Sequence, residues 1–239
     1  MAEIFGFEIK RKQETKPNSQ SFTAPTAEDG VQTIMGGGHF GTYLDQEGKI
    51  HNEADLVRRY REVSIHPECD MAIEDIINEA IVVDDKQEVV RLNVNNMPFS
   101  AAVKKRIGEE FENVIRLLEF EQKGHDIFRR WYVDGRIVYH KVIDPKNVKN
   151  GITELRYIDP RKIKKVRAPK SKEGNEFAPK DPNKPGSVEF EEFYIYNEKG
   201  VQAGASSTTG LKIAKDAIAH CVSGLVDQQR NMVLSYLHK

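Results

Sequence analysis

Residues 128–145 read FRRWYVDGRIVYHKVIDP, and residues 157–166 return the same ending as YIDPRKIKKV. From residue 127 the apolar period changes from helical to two-residue alternation. Asp134-Gly135, between FRRWYV and RIVYHKVI, predicts a hairpin over 128–143 closed by a primed turn. In this reading Trp131, the only tryptophan, is the core anchor and shares a buried face with Val133, Ile137 and Tyr139. Arg130, Arg136 and Lys141 lay their aliphatic stems along apolar neighbours. Pro145 and Pro160 lack the N–H that a strand ladder needs, so Asp144-Pro145 and Asp159-Pro160 punctuate strand ends. Three roles compete for a segment this basic and aromatic: a catalytic hairpin, a nucleic-acid platform, or a structural element of something larger.

Upstream the pattern is helical. Asn52 is an N-cap candidate, with Asp55 three residues on in capping-box fashion, and Leu56, Tyr60 and Val63 fall at helical spacing. Pro67 suits a first helical position, and Ile73, Ile76, Ile77, Ala80 and Ile81 form a wide apolar stripe behind it. EVVRLNV (88–94) reads as a strand. Ser100 then caps a long helix towards Gly124, with Val103, Ile107, Phe111, Ile115 and Leu118 on one face. Downstream, ELRYIDP (154–160), IKKVRA (163–168) and VEFEEFYIY (188–196) predict short strands, and LKIAKDAIAHCVSGLVD (211–227) one or two more. The expected class is α+β, helical in its N-terminal half and built of short antiparallel strands in its C-terminal half.

Two stretches read as unfolded. Residues 1–50 form a mobile arm: 11–30 is polar and holds Pro17 and Pro25, and IMGGGHFG (34–41) is a hinge. Residues 169–187 form a flexible loop rich in Pro, Lys and Gly, inside a folded portion spanning 51–239. The tail is apolar at Met232, Leu234 and Leu237 and carries no capping glycine, an ending that reads as interrupted.

The 239 residues suffice for one large domain or two small ones. With Lys+Arg 36 against Asp+Glu 37, the formal charge of −1 argues against a surface that grips nucleic acid all round. Cys69 and Cys221 form no pair motif, so reduced thiols are the default. AIVV (80–83) is far too short to cross a bilayer, and MAEIFGFEIK lacks the basic start and apolar core of a secretory signal, which together predict a soluble intracellular product.

Chemical motifs are sparse. GGGHFG (36–41) lacks the Lys-Ser/Thr of a phosphate loop. His66 and Cys69 have a metal-like spacing without a second pair. His220 and Cys221, adjacent on a strand, face opposite sides and cannot act as base and nucleophile. Asp84-Asp85 reads as solvated punctuation. A metal-dependent nuclease would draw on Asp144, Asp159 and Lys141. The run from 161 to 172, RKIKKVRAPKSK, offers Arg161, Lys162, Lys164, Lys165 and Arg167 as contacts to a neighbouring subunit or to DNA phosphates. The plainer reading is a solvated strand edge that its lysines keep from aggregating. Neither metal, cofactor nor catalytic residue is assigned.

One resemblance is more specific than any of these motifs. The segment FRRWYVDGRIVYHKVIDPKNVKNGITELRYIDPRK resembles the portal vertex proteins of T-even-type tailed phages. It shares their aromatic-basic segment, doubled Asp-Pro ending and GI-EL link, in one order. NEADLVRRYREVSIHPECDMAIEDIINEAIV with VVRLNV is similar to the preceding family pattern, and AHCVSGLVD with YLHK to the stretch before the family's stem helix. Within that pattern Trp131, Asp134, Gly135, Asp144, Pro145, Asp159 and Pro160 are expected structural anchors. The resemblance covers roughly residues 30–239 and implies the outer, wing-like portion, without the stem, clip and crown. It further implies a dodecameric homo-oligomer in the virion, assembled in the host cytoplasm at one capsid vertex. Expected partners are the major capsid protein and scaffold, the large terminase, later neck and tail proteins, and double-stranded DNA in the channel, with no small-molecule substrate. Such proteins initiate head assembly and carry DNA in and out without catalytic residues of their own.

Overall fold

The computed structural model describes residues 53–82, 89–169, 190–200, 210–227 and 232–238, with short strands at 3–4, 7–8, 32–33, 43–44 and 50–51. The rest of the expected arm at 1–50 with its GGGHFG hinge, Asn52, Asp84-Asp85, and nearly all of the expected loop at 169–187 lie outside the described residues. The chain divides into two compact units, residues 1–25 with 169–190 and residues 26–168 with 191–239. The first contains β1 (Glu3–Ile4) and β2 (Phe7–Glu8), an antiparallel pair. The features described next belong to the second.

After β3 (Gln32–Thr33) and the antiparallel pair β4 (Tyr43–Leu44) and β5 (Ile50–His51), helix α1 (Glu53–Val63) starts on Glu53 and Asp55 and carries Arg61 in its last turn. Both ends thus complement the helix dipole. It buries Leu56, Val57 and Tyr60. Helix α2 (Pro67–Ala80) begins on its proline. Ile73, Ile77 and then Ile81 are buried, whereas Ile76 and Ala80 face out, so its core stripe is narrower than the sequence suggests. Residues 89–94 run irregularly and belong to no strand, which corrects the expectation for 88–94. Val89, Leu92 and Val94 are half-buried and Val90 is exposed: an apolar run without strict alternation does not by itself make a strand.

The long helix from Ser100 is two helices. Helix α3 (Ala101–Leu118) stops at Glu119, which is left-handed (φ 49°), and α4 (Phe120–Asp134) follows at once. Ser100 stands at the N-cap position without a side-chain capping bond. The predicted hairpin at 128–143 is therefore corrected in its first half: FRRWYV is the end of α4. Phe128, Trp131 and Tyr132 fall at i, i+3 and i+4 as well as they fit a strand. Gly135 adopts φ 71°, the left-handed residue that ends a helix. The positive φ that suits a primed turn also suits a helix stop, so Asp-Gly alone does not choose between them. Another constraint holds this glycine: a Cβ at 135 would lie 2.5 Å from the Leu234 carbonyl oxygen.

The second half of that stretch is a strand, β6 (Arg136–Ile143), at the centre of an antiparallel sheet in the order β11-β6-β7, with β7 at Ile152–Ile158 and β11 at Ile218–Val222. A second sheet has the order β10-β9-β8-β3, with β8 at Ile163–Pro169, β9 at Phe190–Tyr196 and β10 at Leu211–Ala214. Strands β12 (Val226–Asp227) and β13 (Met232–Val233) pair antiparallel. Two cores result. Leu56, Tyr60, Ile73, Ile77, Ile81, Val133 and Met232 form the helical one; Val138, Ile163, Tyr194 and Ile218 form the one associated with the sheets. The fold is α+β, helical first and antiparallel after.

Candidate functional site

Two predicted anchors, Asp134 and Asp159, converge on a residue that the sequence reading passed over. Arg61, in the last turn of α1, donates from Nε to Asp134 Oδ1 at 2.8 Å and from Nη2 to Asp134 Oδ2 at 2.6 Å. Its Nη1 reaches Asp159 Oδ2 at 3.1 Å. Arg161 returns to the same acid, Nη2 to Oδ2 at 2.8 Å, while its backbone N–H caps Oδ1 at 2.9 Å. The Asp134 side chain is only 2 % exposed, so the acid of this bidentate pair is desolvated while Arg61 keeps some contact with water. The node joins the end of α1, the end of α4 and the end of β7. Its electrostatics match. Hydrogen bonds donated to Asp134 hold the Arg61 guanidinium charged against the cost of burial. Burial pushes the Asp159 carboxyl up, but hydrogen bonds from Arg161 and Arg61 hold it well below the usual carboxylate range. Neighbouring Tyr157 is pushed up to about 12, chiefly by burial.

Asp144 does different work. Its carboxylate accepts from the Lys146 backbone N–H at 2.9 Å and from Asn147 Nδ2 at 3.2 Å, an Asx turn that directs the chain past Pro145 towards β7. Because β6 and β7 are antiparallel, with Ile143 opposite Ile152 and Val138 opposite Ile158, Asp144 and Asp159 lie at opposite ends of β7. A seven-residue strand separates them by roughly 20 Å. A nuclease centre drawing on both acids is excluded by that distance; Lys141, facing Leu155 in the ladder, does not bring them together.

The basic run is largely committed within the chain. Lys165 and Arg167 are buried and meet Glu192 on β9, Arg167 through Nε at 3.0 Å and Nη2 at 2.5 Å, Lys165 at 3.5 Å. Lys215 adds a third cation at 2.6 Å. Burial opposes ionisation of Glu192, yet these partners bring its carboxyl down to about 2. Lys162 pairs with Glu198 at 2.5 Å, and Arg161 with Asp159. Burial lowers the Lys164 ammonium, the charge of Glu53 opposing. Arg161 and Lys162 are more exposed than Lys165 and Arg167. The alternation of β8 and β9 was the available signal: Lys165 and Arg167 are two apart, so both face one side, and a strand of the spacing EFEEF can meet them with an acid.

Trp131 lies on α4, half-buried, in an aromatic group with Phe128 and Tyr236 at ring separations of 5.5 and 5.4 Å. Tyr132 stacks on Tyr236 at 5.0 Å. The residues around Tyr236 hold the helical core from outside. Arg136 donates to the Val233 carbonyl at 2.7 Å and pairs with Glu53 at 2.9 Å. Ser235 Oγ donates to the Tyr132 carbonyl at 3.1 Å, and Tyr60 shares a hydrogen bond with His238 at 2.7 Å. His66 and Cys69 flank the start of α2, and among the described residues no cluster of metal-ligating side chains forms. No described helix is long and apolar enough to cross a membrane.

These charged pairs tie the elements of the fold to one another. Residues 53–239 match the Bacteriophage T4-like portal protein (Gp20) family. The chain is 34% identical over 223 residues to the portal protein of Vibrio phage KVP40, covering 87% of this chain and 41% of that protein. It is 32% identical over 141 residues to the portal protein of Salmonella phage ViI, covering 59% of this chain and 25% of that one. The chain belongs to the T4-like portal protein family. It spans about two fifths of the length of the first of these relatives and a quarter of the second.

Proposed function

We propose that this chain forms the wing-like outer portion of a portal ring at one capsid vertex, through which double-stranded DNA is packaged and later ejected. In this reading copies of the chain close a dodecameric ring. The ring initiates head assembly with the capsid and scaffold proteins, and docks the large terminase and afterwards the neck and tail. The single observation behind it is the match over residues 53–239, ordered through helices, sheets and the tail. The buried part of the basic run supports it: Lys165 and Arg167, engaged with Glu192, are withdrawn from the phosphate contacts that would hold DNA in place. Arg161 and Lys162, more exposed than Lys165 and Arg167, are the residues we assign to contacts with a neighbouring subunit or DNA. Residues 51–239 correspond in this reading to the wing and 1–50 to an arm. Electron microscopy of the full-length gene product tests the proposal. Rings with a central channel are expected; a stable lone monomer that turns over a substrate would end it.

A further inference from the structure

Helix α3 is amphipathic, yet none of its residues is buried. Its apolar face, with the irregular segment 89–94, walls a groove of about 550 Å³. Val89, Leu92, Val94, Phe111, Ile115 and Phe120 line it; its exposed charges are mixed, Arg91 and Arg116 with Glu112, Glu119 and Glu121. A groove of this make-up on a protein surface marks an interaction site. At the corner between α1 and α2 the same unit presents the opposite shape. Val63, Ile65 and Met71 point outward there, Ile65 and Met71 with 75% and 69% of their surface exposed. Exposed Glu62 and Glu68 flank them.

The two features lie at opposite ends of one rigid pair. Helices α2 and α4 run antiparallel, joined at one end by Arg129 to Asp70 and Glu74. At the other end Ile81 meets Gly124 and His125, beside the Phe120 that lines the groove. The fourteen residues of α2 set these ends roughly 20 Å apart. A patch and a counter-patch on different faces of one subunit make a head-to-tail interface, the kind that closes rings.

We propose that the groove between α3 and residues 89–94 receives the α1–α2 corner of a neighbouring copy, Ile65 and Met71 entering it and Glu62 and Glu68 facing Arg91 and Arg116. The inference rests on the ring reading above and names its contact surface. Gly108 lines the groove, and a Cβ added there meets nothing within 4 Å, so the site can be filled without disturbing the helix.

The test uses full-length protein, light scattering and electron microscopy. Gly108→Trp and, separately, Ile65→Asp are expected to lower ring yield at least tenfold with unchanged circular dichroism, and Gly108→Ala to leave it intact. Glu62→Lys with Glu68→Lys should weaken rings, and Arg91→Glu with Arg116→Glu added should restore them. Normal rings from both Gly108→Trp and Ile65→Asp would overturn the contact while leaving the ring reading standing. So would normal rings that fail to enter capsids, which would assign the groove to a different protein. Should Gly108→Trp misfold, the exposed Ile65→Asp decides alone. Wild-type protein that forms no rings would overturn the ring reading itself.

Discussion

Helices α3 and α4 follow one another with only Glu119 between them, yet they stand in opposite relations to their surroundings. Helix α4 is gripped on several sides: Val133 is in the core, Asp134 is held by Arg61, Arg129 by α2, and the Tyr132 carbonyl by Ser235. Helix α3 is longer and its heptad-like stripe cleaner, but it buries no residue fully. The helix with the plainest sequence signal is the one its own chain supports least. Periodicity reports that a helix has an apolar face; it does not report what covers that face.

The contrast can be broken most severely at Asp134. Asp134→Ala would leave Arg61 facing Asp159 with half of its partners gone. We expect a loss of about 3 kcal/mol in urea unfolding, at the lower end for a broken buried pair because Arg61 itself is 31% exposed. Trp131 comes next. A fully buried tryptophan truncated to alanine costs about 3–5 kcal/mol. Trp131 is half-buried, so about 2 kcal/mol is expected. Trp131→Phe should be milder, because the indole N–H has no hydrogen-bond partner to lose. A Trp131→Ala loss below about 0.5 kcal/mol would show that α4 is held no more firmly than α3.

A smaller effect concerns the junctions of the sheets. Asp159 and Glu192 both titrate below ordinary carboxylates in the folded chain. A carboxylate depressed on folding stabilises above its unfolded value, near pH 4, and loses that contribution as pH falls towards the folded value. Stability should therefore be flat from neutrality to about pH 5 and decline from there to about pH 2. Glu192→Gln should make that decline shallower. A profile unchanged by the substitution would mean the Arg167 and Lys165 pairs contribute nothing to folding. The smallest expected effect is in α3. Gly108→Ala should stabilise by about 0.5–1 kcal/mol, as alanine does in an open helix interior.

Much of the architecture was legible locally. Pro67 opening α2, Leu56 with Tyr60 in α1, Ile73 with Ile77 in α2, and the alternation in β7, β8 and β9 each follow from residues within a few positions of one another. The split of the long helix at Glu119 was not: no glycine or proline announces it, and a left-handed glutamate is tolerated where packing on either side demands the turn. The strand expected at 88–94 failed for a related reason. β-branched residues suit any half-buried surface, and these wall a groove with α3.

The sequence by itself determined the α+β class, most of the helices and strands, and the portal family, because those depend on order and spacing along the chain. Only the tertiary structure decided that Asp134-Gly135 stops a helix, that Asp159 shares Arg61 with Asp134 while Asp144 stays apart, and that Glu192 takes up Lys165 and Arg167. Each of these turns on which distant elements cross and which charges are thereby removed from water together. That is a property of three-dimensional packing, and no spacing along the chain carries it.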